Sequence, residues 1–177
     1  MSKTFEERKF NIPKLKGISE KTIEEHLKLY AGYVKNSNEL LGEEDYDRRF
    51  PFEFNGMRNH EVYFAHFESG PRPLSSDSGF AQAGFDLEKF KTLALTRGVG
   101  WAMVYYDPTS EQLIQSWVDE QHLGQLNGCT TVLALDMWEH SFVADYQPSG
   151  KKNYIEDFFI NLNWQNVEQN FENARQK

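Results

Sequence analysis

The sequence predicts an α+β fold: an N-terminal helical hairpin, then a C-terminal domain in which a small three-stranded antiparallel sheet is flanked by helices. Three observations lead there. Apolar residues recur at three- and four-residue spacing early in the chain, short runs of aromatic and branched residues cluster beyond Gly100, and a Ser/Gly/Pro-rich stretch separates the two regions.

Met1 to Gly17 carry mixed charges with Pro13 and no clear period, which reads as an extended arm. Ser19 is a candidate N-cap for a long helix through about Leu41, with Ile23, His26, Leu27, Tyr30, Tyr33 and Val34 on its buried face. The charged run Glu43 to Arg49 reads as a solvated connection, and a second helix is expected from about Asn55 to Glu68. Ser69 to Gly79 is the linker, placing a helical hairpin domain at residues 1–75 and an α/β domain at 76–177. Asp86 can cap a helix ending at Gly98. Strands are expected at Trp101–Tyr106, Gln112–Val118 and Thr130–Leu135, the first two joined by an Asp107-Pro108-Thr109-Ser110 turn. From about Tyr154 the chain reads as helical to its end.

The chain has 177 residues, with 14 Phe, 8 Tyr and 4 Trp to fill a core without disulfide or metal staples. A single cysteine, Cys129, excludes an intrachain disulfide and suits a reducing compartment, so a cytoplasmic protein is expected. No apolar run approaches the roughly 18 residues of a membrane span. Met1 to Lys16 lack the apolar core of a signal peptide, so no Sec-type export is expected. The net charge of −8 argues against a nucleic-acid partner. It would also repel an anionic substrate at long range, so attraction must come from a local basic patch, charges beyond about 8 Å being screened.

The strongest chemical signal is Asp136-Met137-Trp138-Glu139-His140. A carboxylate and an imidazole four residues apart, where a strand ends, can point at one metal ion, although a bare pair of this kind is more often an N-cap and a surface histidine. The whole string resembles the D-x-W-E-H signature of the iron/manganese superoxide dismutase family. Ala144-Asp145-Tyr146, Tyr154-Ile155-Glu156, Asn161-Leu162-Asn163-Trp164 and Val167 continue the likeness. Thr22 to His26 with Tyr33-Val34-Lys35-Asn36 is similar to the family's first helix, Asn59-His60 with Tyr63 and Phe64 to its second, and Arg97 to Trp101 to the entry of its first strand.

The resemblance spans about residues 10–175 and implies the family's fold and its activity, disproportionation of superoxide to dioxygen and hydrogen peroxide. It implies one iron or manganese ion per subunit, held by His26, His60, Asp136 and His140. Singly, His26 and His60 read as core histidines; three imidazoles with one carboxylate suit iron or manganese better than a thiolate site would. The resemblance gives Gln121, fifteen residues before Asp136, the role of hydrogen-bonding metal-bound solvent, with His122 as the alternative by a one-residue shift. Tyr33 is implied as the gateway tyrosine, and Trp101, Trp138 and Phe64 as walls. Glu139 is implied to bond His140 across a homodimer, or within a tetramer; alone it reads as a first-turn glutamate favoured by the helix dipole. His66 and His122 otherwise read as solvent-facing or structural. A homologue that stores or senses metal without turnover is the alternative function.

The chain departs from the family pattern between His26 and Tyr33, which are one residue closer than usual, and in a compressed second-helix segment, Asn55-Gly56-Met57-Arg58. The family's first-helix histidine near the gate corresponds to Tyr30, and the tyrosine three residues after the last ligand to Val143. Seven steps of about 100° rotate about 700°, which returns Tyr33 to the face of His26. Eight would leave it roughly 80° off and require a π-bulge. A continuous helix over about residues 20–40 is therefore expected, with Tyr33 beside Gln121 and Tyr30 in the vacated histidine position.

Overall fold

Ser19 begins the first helix as its sequence suggests, its Oγ accepting from Thr22 N at 3.1 Å. The computed structural model describes residues 4–41, 43 and 48–176, and in it α1 runs unbroken from Glu20 to Leu41 without a π-bulge. The expected solvated connection lies mostly on residues 44–47, outside the described residues. The second helix, α2, spans Arg49–Ala65 and so begins before the expected Asn55. Pro51 lies in its first turn. In the first turn of a helix a proline has no intrahelical N–H to lose, and Asn55 bonds back to Pro51 O at 2.7 Å rather than capping anything. The helix also stops short of Glu68, where Ser69 and Gly70 take positive φ values of 65° and 78° and turn the chain.

Three strands form one antiparallel sheet in the order β2-β1-β3, with β1 Gly100–Asp107, β2 Gln112–Asp119 and β3 Thr130–Asp136. Each agrees with its expected span to within one residue at either end. The β1–β2 turn closes on Asp107, whose Oδ1 accepts from Thr109 N at 2.9 Å and Oδ2 from the Ser110 hydroxyl at 2.5 Å. In the β1–β3 register Trp101 pairs with Asp136. Directly opposed residues share a face of the sheet, so the indole and the carboxylate leave the sheet on the same side.

The helices around the sheet are shorter and more numerous than the sequence suggests. Ser78 caps a brief α3, Gly79–Gln82, inside the expected linker. Asp86 does cap α4, accepting from Lys89 N at 3.0 Å. That helix spans only Leu87–Ala94, and Gly98, with φ 122°, belongs to the loop before β1. A short α5, Val143–Tyr146, follows the D-x-W-E-H segment. The C-terminal stretch is two helices, α6 Lys151–Asn161 and α7 Trp164–Arg175. Asn163 breaks them: its side chain caps Gln165 N at 3.1 Å and its backbone N–H bonds His66 O at 2.7 Å. None of the helices is long and apolar enough to cross a membrane, among the described residues.

His66 is fully buried and structural, its Nε2 accepting from Ala134 N on β3 at 3.1 Å. Burial pushes its pKa down to about 3, against about 6.5 in an unfolded chain. The unfolded state therefore binds the extra proton between these values, and the native state loses stability as pH falls through that window. In His66→Gln, where Oε1 can still accept from Ala134 N, urea unfolding of the metal-free protein between pH 7 and pH 4 should lose a few kcal/mol less than in the wild type. Equal pH slopes for the two proteins would contradict the assignment.

Candidate metal centre

Four side chains from distant parts of the sequence meet where α1 and α2 face the end of β3. His26 comes from α1 and His60 from α2, while Asp136 ends β3 and His140 lies in a 3₁₀ turn, Glu139–Ser141. The Asp136–His140 spacing works because the turn is tied to the strand end. Asp136 Oδ1 accepts from Trp138 N at 2.8 Å, and the Ser141 hydroxyl lies 3.0 Å from Asp136 O and 2.6 Å from Trp138 O. The ligand atoms of His26, His60, Asp136 and His140 all lie within 4.8 Å of one another.

The centre is organised on Asp136 Oδ2. It lies 3.1 Å from His26 Nε2, 3.1 Å from His140 Nε2 and 3.5 Å from His60 Nε2. Donors about 2.1 Å from a shared ion, roughly 90–120° apart, would be separated by about these distances. The tautomer of His60 adds a chemical argument. Its Nδ1 donates to Gly56 O at 2.6 Å, so Nε2 presents a lone pair, and that buried atom has no hydrogen-bond partner among the described residues. A lone pair facing a carboxylate oxygen away from water is repulsive unless a cation lies between them. The residues present therefore fit a metal ion.

Ionisation agrees. Burial, then the neighbouring His26, pushes the pKa of His60 down to about 3. Burial also lowers that of His26, although Asp136 pulls the other way. For Asp136 burial acts upward, but His140 and His26 together outweigh it and hold the carboxyl below its usual range. A neutral His26 and His60 beside an ionised Asp136 are in the protonation states that metal binding requires.

Gln121, in the loop after β2, is fully buried at this centre. Its Oε1 accepts from Trp101 Nε1 at 2.7 Å and its Nε2 donates to Tyr33 Oη at 2.9 Å, which fixes the orientation of the amide. His122 packs edge-on against Phe52 with ring centroids 5.8 Å apart. The uninterrupted α1 brings the Tyr33 ring to 5.1 Å from that of His60. Burial first, then the charges of Asp136 and Glu53, raises the pKa of the Tyr33 phenol, while the bond from Gln121 works against this. Gly56 makes room for the ring, since a Cβ there would meet Tyr33 Cδ1 at 2.7 Å.

Tyr30 is buried on the same flank, with its ring 6.1 Å from Phe64, and its hydroxyl accepts from Arg8 N at 2.9 Å and reaches Glu61 at 3.2 Å. Its hydroxyl is thus bound to the N-terminal arm and to α2. The sequence reading missed two amides that hold the Gln121 loop. Asn59 donates to Gln121 O at 3.1 Å, and Gln125 Nε2 lies 3.2 Å from both Asn59 Oδ1 and Gln121 O. The placement of Asn59 directly before His60 was the available signal; Gln125 had none.

Comparison with known proteins gives the centre its context. The profile of "Iron/manganese superoxide dismutases, C-terminal domain" matches residues 79–170. A "Superoxide dismutase [Fe]" of Cupriavidus metallidurans is 32% identical to the chain, over 89% of this chain and 90% of that one.

The chain belongs to the iron/manganese superoxide dismutase family.

Other relatives are similar as well. A "Superoxide dismutase [Mn/Fe]" of Aeropyrum pernix is 27% identical over 84% of this chain and 80% of its own. A "Superoxide dismutase [Mn]" of Haloarcula marismortui is 37% identical over 49% of this chain and 41% of its own.

Two outcomes follow for this member of the superoxide dismutase family. Gly56→Ala should cost about 1–3 kcal/mol of stability in denaturant unfolding, through overpacking against Tyr33; an unchanged midpoint would mean that the ring has room. Stripping the metal with a chelator should lower the melting temperature, and restoring iron or manganese should recover it. In Asp136→Ala the melting temperature should no longer respond to either metal.

Proposed function

We propose that the protein disproportionates superoxide to dioxygen and hydrogen peroxide, using one iron or manganese ion held by His26, His60, Asp136 and His140. The observation that carries this reading is the convergence of three imidazoles on one carboxylate oxygen beside the Gln121–Tyr33 pair, in a chain of this family. When bound, the ion would supply one-electron chemistry, taking an electron from one superoxide, which leaves as dioxygen, and returning it to a second, which takes up two protons originating in solvent and leaves as hydrogen peroxide.

The residues supply protons, a dry site and orientation. One amide hydrogen of Gln121 is held by Tyr33, and the other is available to solvent bound at the ion. Tyr33, its pKa raised, keeps its proton at Oη across the physiological range and holds it at the gate. Phe64 lies edge-on to His26 at 4.9 Å, Trp101 edge-on to His60 at 5.0 Å, and Trp138 stacks on His140 at 5.8 Å, so water is excluded on three sides. The attraction that an acidic protein needs is local. Arg48 and Arg49 line a cavity with Glu120, His122 and Phe52, whose ring lies 6.1 Å from that of Tyr33, so two guanidinium groups face one carboxylate there.

The working form is a homodimer in which Glu139 accepts from His140 of the partner subunit. Glu139 is exposed and the His140 side chain retains 27% of its accessibility in the isolated chain, which supports this contact. The helical hairpin at residues 1–75 and the α/β unit at 76–177 act as the two domains between which the ion sits. The lone Cys129 supports a cytoplasmic location.

The test is to measure metal content and superoxide disproportionation on one preparation, with turnover expected to scale with bound iron or manganese. Full occupancy without turnover would leave the storage or sensing reading. Tyr33→Phe should retain the metal and change the pH dependence of turnover; loss of metal would make Tyr33 part of the fold rather than the gate. Glu139→Ala should weaken association in sedimentation or lower metal retention. A wild type that is strictly monomeric and fully active at micromolar concentration would exclude the dimer.

A further inference from the structure

Three buried or half-buried tyrosines have no part in the reaction above, yet they connect its centre to the surface. Tyr63 is fully buried, its ring 5.1 Å from that of His26 and 6.2 Å from that of Trp101. Its hydroxyl lies 3.1 Å from that of Tyr154, also fully buried. The Tyr154 ring is 5.8 Å from that of Tyr146, which is partly exposed. Tyr146 donates to Asp157 Oδ2 at 2.9 Å, and Asp157 Oδ1 lies 3.3 Å from Lys16 Nζ.

We propose that Tyr63, Tyr154 and Tyr146 form an electron-transfer chain that carries a stray oxidising equivalent out of the metal centre, with Tyr146 as the terminal donor. This rests on the reading of the centre as a redox metal site that produces peroxide.

Packing alone does not require these hydroxyls. Phe64, Phe67 and Phe158 fill the same core without them, and each buried hydroxyl must recover its lost hydration through a hydrogen bond. Phenols, unlike phenylalanine rings, give up an electron within reach of biological oxidants. Tunnelling rates fall exponentially with distance, so several short steps outrun a single long one. The direction of transfer follows from the proton. A phenol is oxidised readily only if its proton has a base to go to. Tyr63 has the Tyr154 hydroxyl and Tyr154 has the carbonyl of Asp136, at 2.9 Å, neither of which is a base. Tyr146 has a carboxylate. Burial, then Asp157, keeps its phenol protonated beforehand.

The oxidant is hydrogen peroxide meeting the reduced ion. With iron bound and reduced, one electron from it would break the O–O bond, giving hydroxide and a hydroxyl-radical equivalent. That equivalent takes one electron through the chain and one proton from solvent, and leaves as water. The electron comes from Tyr146, whose proton passes to Asp157 Oδ2. Tyr63 and Tyr154, which have no base, keep their protons, carry the oxidising equivalent only in passing and end unchanged, and it comes to rest where a base is present.

The test uses iron-loaded protein, reduced, freed of reductant without air, mixed with one equivalent of hydrogen peroxide and freeze-quenched for electron paramagnetic resonance. A parallel sample with a spin trap is digested for mass spectrometry. The wild type should show a tyrosyl signal and a trap adduct on Tyr146. Tyr146→Phe should lose both and be inactivated by peroxide several-fold faster, with its starting turnover unchanged. Asp157→Asn, which keeps the ring, should show a weakened signal. Adducts on Trp138 with none on Tyr146, or identical wild-type and Tyr146→Phe signals, would overturn the chain. Iron content and superoxide disproportionation are measured before peroxide is added. Iron-loaded, active protein without the radical rejects the chain alone, whereas protein that holds no iron or does not turn over rejects the functional reading and the chain with it.

Discussion

One carboxylate oxygen organises this protein. Asp136 Oδ2 has three imidazole nitrogens within 3.5 Å, and they belong to α1, α2 and the turn after β3. In a dry interior this grouping is unfavourable without a cation, because the Gly56 carbonyl commits His60 to the tautomer whose lone pair faces the carboxylate. The fold keeps these groups together by other means. The Trp101–Asp136 register, the Ser141 hydroxyl and the Tyr154 hydroxyl fix the aspartate from the sheet side. Packing of α1 on α2 fixes the histidines from the other. Metal affinity and fold stability are therefore coupled through the same residues.

Tyr33 shows how helical spacing sets the direction of a side chain. Seven steps of about 100° along an unbroken α1 bring Tyr33 onto the face of His26 without a bulge. The glycine at position 56 on the facing helix lets the ring approach, and Gln121, held by Trp101, receives its hydroxyl. Three segments distant in sequence thus depend on one helical spacing.

The features legible in the sequence were those with a short-range signature. The three strands and their turn could be read because alternating branched and aromatic residues and an Asp-Pro-Thr-Ser sequence have local causes. The α1 periodicity was clear for the same reason. The errors lay where tertiary contacts decide. The second helix was expected from Asn55 and begins at Arg49, ahead of Pro51; Asn163 looked like part of a helix and is a cap, fixed by its bond to His66. At the centre, the four ligand positions could be read only through their joint resemblance to a family, since each alone has a commoner explanation. Gln125 was invisible because its partners, Asn59 and the Gln121 carbonyl, are brought to it only by the folded loop.

The separation of the ligands along the chain has a consequence for the timing of assembly. His26 and Asp136 are 110 positions apart. During synthesis the helical hairpin can form early from local contacts, but it brings only two of the four donors. Closing so long a loop carries an entropic cost that later contacts must offset, so the complete coordination sphere comes into being only when the sheet docks on the hairpin. A chain whose C-terminal part has yet to fold thus presents two imidazoles and no carboxylate, half of the four-residue cluster.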